Sequence, residues 1–82
     1  MPVYNMSALD ALEKERRLLD ELFGVQNQLI STLYEMEDCS DKEETARIAA
    51  QIEKLRAREK DIEDDISKIR QKLKRYLLEL FK

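Results

Sequence analysis

Apolar residues in the second half of the chain recur at alternating intervals of four and three residues. This spacing is that of a heptad repeat, in which one narrow apolar stripe runs along a single helix. The stripe consists of Ile48, Ile52, Leu55, Glu59, Ile62, Ile66, Ile69, Leu73, Tyr76 and Leu80, and Glu59 is its one polar member. The pattern predicts a long helix over residues 41–80. A stripe this narrow needs a partner helix to cover it.

The first half of the chain carries a broader apolar face, which predicts a helix over residues 8–37. Its heptad frame places Leu12, Leu19 and Leu33 at one core position and Leu22, Leu29 and Met36 at the other. Further apolar residues lie on both sides of these positions, at Leu9, Leu18, Phe23, Val25 and Ile30. A helix with so wide an apolar face contacts more than one neighbour. Gly24, inside this helix, is either simply tolerated or allows another helix to approach closely.

Polar residues interrupt both patterns over residues 38–41, which we predict to be a turn. Ser40 and Glu43 have the spacing of a capping box at the start of the second helix. A connection this short makes the two helices antiparallel neighbours. Residues 1–6 contain Pro2 and predict an extended N-terminal arm. The expected fold is all-α, an antiparallel two-helix hairpin that forms a single domain over residues 1–82.

Composition favours association between hairpins. The 82 residues include one cysteine and no histidine, so an intrachain disulfide is impossible and the usual zinc ligands are few. Domains shorter than roughly 70–80 residues usually need a disulfide, a metal or oligomerisation for stability. We therefore expect two hairpins to form a four-helix bundle as a homodimer. The residues predicted at the oligomer or partner interface are Leu18, Leu22, Phe23, Val25, Leu29, Ile30, Tyr76, Leu77, Leu80 and Phe81.

Two interruptions of the apolar pattern predict a polar layer across the hairpin. Glu15 and Arg16 interrupt the first helix, and a turn near residue 39 or 40 brings them beside Glu59 and Glu63. We expect Arg16 to pair with Glu59 or Glu63, in a layer that fixes register more than it adds stability. The alternative is that Glu59 points its carboxylate into solvent.

Charge is unevenly distributed along the chain, although the net charge is only −3. Acidic residues concentrate near the turn, whereas the end of the second helix is basic and carries Lys68, Arg70, Lys72, Lys74 and Arg75. Cations near a helix C-terminus complement its dipole and commonly form a solvated face. The same cations could also contact a polyanion such as nucleic acid.

Motifs of enzymes and cofactor sites are missing from the sequence. It has no glycine-rich phosphate loop, no Cys-x-x-Cys pair and no histidine for a catalytic triad. We therefore expect no enzymatic activity, no cofactor and no metal. With no transmembrane segment, no signal peptide and a lone cysteine, a cytoplasmic location is expected. The predicted function is that of a structural or adaptor protein, which associates with itself and binds a larger protein partner. The alternative is a small nucleic-acid-binding regulator that uses the basic part of the second helix.

Overall fold

Two long α-helices and a short turn form a helical hairpin. The structure is a computed structural model that describes the backbone of residues 2–80 and the side chains of residues 8–80. Helix α1 spans Pro2–Asp38 and helix α2 spans Lys42–Leu80. They pack along their length into a rod with extents of 61 × 15 × 14 Å. The predicted all-α hairpin is confirmed.

Helix α1 begins earlier than the sequence predicts. Its first helical residue is Pro2, so residues 2–6 are helical rather than an extended arm. Proline is tolerated in the first turn because its missing N–H would have no partner within the helix. The two helices are consequently of similar length, 37 residues in α1 and 39 in α2.

Asp41, rather than the predicted Ser40, caps helix α2. Its Oδ1 accepts a hydrogen bond of 3.2 Å from the backbone N–H of Glu43. Its carbonyl oxygen accepts bonds from the N–H and the hydroxyl of Thr45, at 2.9 and 2.7 Å. Glu43 and Glu44 lie in the first turn, where negative charge is favourable near the positive end of the helix dipole. The turn itself is therefore only three residues long, from 39 to 41.

The α2 stripe faces α1 and supplies most of the buried core. Ile48, Ile62, Ile66 and Ile69 are buried, and Glu59 is half-buried among them. The central cluster joins Val25 of α1 to Ile62 and Ile66 of α2. Around it pack the partly buried Leu18, Leu19, Leu22, Leu29 and Leu55. The heptad pattern of α2 therefore predicts its inward face correctly from Ile48 to Tyr76, whereas Leu80, the last member of the stripe, is exposed.

Helix α1 turns toward α2 a stripe that matches only half of the predicted positions. The residues that face α2, here called the inner stripe, are Ala8, Ala11, Glu15, Leu18, Leu22, Val25, Leu29, Thr32 and Met36, and all are buried or half-buried. Leu22, Leu29 and Met36 lie in this stripe as predicted, whereas the positions predicted for Leu12, Leu19 and Leu33 are taken by the residues just before them. The physical reason lies at the centre, where the inner stripe offers Val25 and the predicted frame would offer Gln26, whose amide would need a partner in the core.

Thr32 is the one buried polar residue of the inner stripe, with 6% of its surface exposed. Its hydroxyl donates a hydrogen bond of 2.6 Å to the carbonyl oxygen of Gln28, one turn earlier. This contact satisfies the hydroxyl and leaves its methyl group for packing. Threonine can take such a position in a helix because the carbonyl four residues earlier is within its reach.

Candidate association surface on helix α1

A second heptad stripe on α1 is left uncovered by the hairpin. Its members, here called the outer stripe, each follow an inner-stripe position by one residue and are Leu9, Leu12, Arg16, Leu19, Phe23, Gln26, Ile30 and Leu33. One residue is a rotation of about 100° on an α-helix. The outer stripe therefore lies on a side of α1, about 100° around the helix from the face that contacts α2. The corresponding tracks of α2 are mostly charged.

The apolar members of the outer stripe are large and exposed. Phe23 is 65% exposed, Leu9 58% and Ile30 54%. Leu12 and Leu33 are each about half exposed, whereas Leu19 is half-buried at the edge of the core. Single exposed apolar residues are ordinary on a protein surface, but a contiguous apolar surface marks an interaction site. From Leu9 to Leu33 the stripe runs for about 36 Å along the helix.

The rod exposes more surface than a compact protein of its mass. The accessible surface is 7060 Å² for 9.8 kDa, whereas a compact monomer of this mass exposes about 5,200 Å². The difference is roughly 1,900 Å² per chain, and a stable protein–protein interface takes only about 800 Å² from each partner. Surface area therefore does not limit association through α1.

The surface has two depressions at the outer stripe, a groove beside it and a hollow within it. The larger, of 470 Å³, is a groove between the helices, lined by Leu19, Leu22, Glu63, Ile66, Ser67, Arg70, Gln71 and Lys74. The smaller, here called the dimple, is an open hollow of 250 Å³ among Ile30, Leu33, Tyr34 and Glu37. Four residues at this spacing form the diamond that accepts a side chain from a facing helix in coiled-coil packing. The shape of the surface thus matches a helical partner.

On the side of the hairpin that carries the outer stripe, polar side chains form hydrogen bonds between the helices at two levels. Gln26 Nε2 donates a hydrogen bond of 3.2 Å to Glu59 Oε2. Arg70 Nε donates one of 2.7 Å to Glu15 Oε2. A looser ion pair of 3.8 Å joins Arg58 to Glu21 on another side of the hairpin.

The predicted polar layer is rearranged. Glu15 and Glu59 both have partners across the hairpin, but Arg16 is not one of them. Arg16 and Glu63 are exposed, and Arg16 forms no ion pair with any residue whose side chain the structure describes. The reason is the stagger of the helices, which brings Gln26 rather than Arg16 opposite Glu59.

The predicted interface residues do not lie on one surface. Leu18, Leu22, Val25 and Leu29 pack in or against the core between α1 and α2, so much of their surface is already covered within the chain. Phe23 and Ile30 are exposed on the outer stripe, and Leu77 and Leu80 are exposed at the end of α2. Tyr76 is half-buried in the α2 stripe, and Phe81 lies outside the described residues.

Sequence reasoning missed the role of Leu9, Leu12 and Leu33 as surface residues. The signal was present, because residues 9, 12, 16, 19, 23, 26, 30 and 33 alternate at three and four, as an independent heptad track. Two such tracks in adjacent frames indicate a helix with two helical neighbours.

The five cations of the possible polyanion site lie on two flanks of α2. Lys68, Lys72 and Arg75 each precede a residue of the α2 stripe, whereas Arg70 and Lys74 each follow one. The two groups therefore lie on opposite sides of the stripe. Arg70 is in addition paired with Glu15. The geometry does not gather the five charges into one surface.

Other kinds of site find no support in the described part of the chain. Over residues 2–80, neither helix has a segment apolar enough for its length to cross a membrane. Among the side chains of residues 8–80, no three or more of the metal-ligating types are grouped to hold an ion. No protein-family model, curated protein or solved structure matches the sequence or the fold of this chain.

Proposed function

We propose that this chain is a non-enzymatic structural or adaptor protein of the cytoplasm, which associates with itself through the outer stripe of α1 and binds a larger protein partner. The observation that carries the proposal is the exposed heptad track from Leu9 to Leu33. Its apolar members lie on one face, and a facing helix covers such a track most completely.

The limited core of the hairpin supports the same proposal. Two helices bury a single line of contacts, and none of the described apolar side chains is completely buried. The one cysteine, Cys39, is free, so no disulfide compensates for the small core. Covering the outer stripe removes more apolar surface from water, and each Å² of apolar surface buried contributes about 25 cal/mol to stability. Association therefore supplies stability that the small core of a single hairpin lacks.

The pattern of the stripe favours a helix over a small molecule or a lipid surface. Arg16 and Gln26 interrupt the apolar track at regular levels, and a facing helix can place polar groups opposite both. A small ligand buries most of its own surface in a concave cavity. The dimple and the groove are open instead, which suits side chains entering from a neighbouring helix.

Sedimentation velocity tests the proposed self-association. We expect the wild-type chain to sediment as a dimer at micromolar concentrations, and Phe23→Glu to sediment as a monomer with its helical circular dichroism retained. The matched control is Leu78→Glu, because Leu78 is 58% exposed but lies off the stripe. It should remain dimeric. A monomeric wild type, or a Phe23→Glu variant that dimerises normally, would overturn the proposal. Ile30→Glu repeats the test at a second position.

A further inference from the structure

We infer that a second copy of this chain covers the outer stripe, with its α1 running antiparallel to the first. This inference rests on the proposed self-association and specifies its geometry. It is carried by a symmetry in the stripe itself. From Leu9 to Leu33 the order is two apolar residues, one polar, two apolar, one polar and two apolar, and it is the same from either end.

Such a palindrome is what a two-fold symmetric helix pair requires. In an isologous interface, if residue i of one chain meets residue j of the other, then j also meets i. A two-fold axis at the level of residue 21 pairs apolar residues with apolar ones, and polar residues with polar ones, along the whole stripe. Leu9 then meets the partner's Leu33, Leu12 meets the partner's Ile30, Arg16 meets the partner's Gln26 and Leu19 meets the partner's Phe23.

Neighbouring registers lose this match. Sliding the partner by one heptad places Phe23 opposite the partner's Gln26 and Arg16 opposite the partner's Leu33, so polar groups face apolar ones. A parallel pair keeps identical residues together and sets Arg16 against the partner's Arg16. Like charges facing each other across an interface disfavour that arrangement. The antiparallel register about residue 21 has neither fault.

Charge complementarity selects the same register. Glu59 is half-buried and takes its hydrogen bond from the neutral amide of Gln26, and it forms no ion pair with a described residue. Arg16 is exposed and likewise has no ion pair within the described hairpin. In the antiparallel register the partner's Arg16 comes level with Gln26, beside the Glu59 carboxylate. The two-fold axis creates this contact twice.

The dimple supplies a matching shape at the ends of the stripe. It is lined by Ile30, Leu33, Tyr34 and Glu37. The register places the partner's Leu9 opposite Leu33, where its side chain enters the dimple as a knob enters a hole. Leu9 is 58% exposed in the single hairpin, so this contact covers a side chain that the hairpin leaves in water.

Cysteine cross-linking tests the orientation directly. In a Cys39→Ser background, chains with Leu12→Cys and chains with Ile30→Cys are prepared separately, mixed, and treated with an oxidant or a short thiol cross-linker. We expect the mixed species to dominate, and each variant alone to cross-link poorly. In the antiparallel register two copies of residue 12 are about 27 Å apart, far beyond disulfide reach. Cross-linking of each variant to its own copy, or no cross-link in a dimer, overturns the inference but leaves self-association intact.

A charge exchange tests the contact between Arg16 and Glu59. Arg16→Glu places acids face to face at two symmetric sites, and should weaken the dimer by about tenfold or more. Combining Arg16→Glu with Glu59→Arg should restore most of the affinity. Arg47→Glu, an exposed change near the turn, is the control with little effect. A double variant no tighter than Arg16→Glu overturns the inferred contact, whereas a monomeric wild type overturns the proposed function.

Discussion

The side-chain amide of Gln26 donates a hydrogen bond of 3.2 Å to the Glu59 carboxylate. This bond joins one of the two polar positions of the outer stripe of α1 to Glu59, the one polar position of the α2 stripe. Both residues are half-buried, at the edge of the intrachain core. The interruption at Glu59 is therefore not a defect of the hairpin alone, because it connects the inner core to the surface that we propose for association.

Replacing Glu59 with leucine should stabilise the individual hairpin while making the dimer less specific. Leucine completes the α2 stripe and removes a half-buried charge, which we expect to raise the free energy of unfolding by about 1 kcal/mol. Gln26 loses its acceptor but can still reach water. Urea unfolding gives the stability, and sedimentation gives the number of species. Glu53→Leu, at an exposed position of α2, is the control. A clear loss of stability in Glu59→Leu would show that the hydrogen bond matters more than the burial.

Isoleucines of the core and of the outer stripe should respond differently to the same change. Ile66 is 4% exposed, so Ile66→Ala leaves a cavity and should cost about 2–4 kcal/mol. Ile30 is mostly exposed, so Ile30→Ala should cost less than about 1 kcal/mol in the dissociated hairpin. Urea unfolding at high dilution measures both. Equal losses from the two variants would contradict the assignment of the inner and outer faces.

Gly24 should be replaceable by alanine with a gain in stability. A Cβ built at this position meets nothing within 4 Å, so the glycine does not serve a close approach of α2. We expect Gly24→Ala to raise the free energy of unfolding by about 0.5–1 kcal/mol through helix propensity. Ala57→Gly, at an exposed position of α2, should give a loss of similar size. A dimer weakened by Gly24→Ala would instead indicate that another chain approaches the backbone there.

Capping of α2 can be tested by a pair of adjacent substitutions. Asp41→Ala removes the side-chain acceptor for the Glu43 N–H and should cost about 0.5–2 kcal/mol. Ser40→Ala should be nearly neutral, since Asp41 supplies the cap. Thermal unfolding followed by circular dichroism compares the two. A larger loss at Ser40 than at Asp41 would restore the capping box that the sequence predicts.

The α2 helix and its inward face could be predicted because their pattern admits one solution. From Ile48 to Leu73 the apolar residues, apart from the position of Glu59, occupy a single heptad track, and the neighbouring tracks are polar or small. The hairpin follows once two such patterns are joined by a short polar segment. The spacing of the apolar residues and the position of the polar segment are enough to predict both the helix and the hairpin.

The inward face of α1 could not be decided in the same way. Its apolar residues fill two adjacent tracks of equal period, one through Leu18 and Val25 and the other through Leu19 and Phe23. Which track meets α2 depends on the side chains opposite and on small members such as Ala11 and Thr32, which carry weak hydrophobic signals. The pairing of Glu59 was missed for a related reason, since a stagger of a few residues moves a side chain by a whole turn.

Thermal unfolding over a wide range of protein concentration tests most directly whether another helix covers the outer stripe. The midpoint of a dimer rises with concentration, whereas that of a monomer does not. We predict that the wild-type midpoint rises by about 3–5 °C for each tenfold increase in concentration, and that the Phe23→Glu midpoint stays constant. A wild-type midpoint independent of concentration would contradict the account and leave the outer stripe as bare surface.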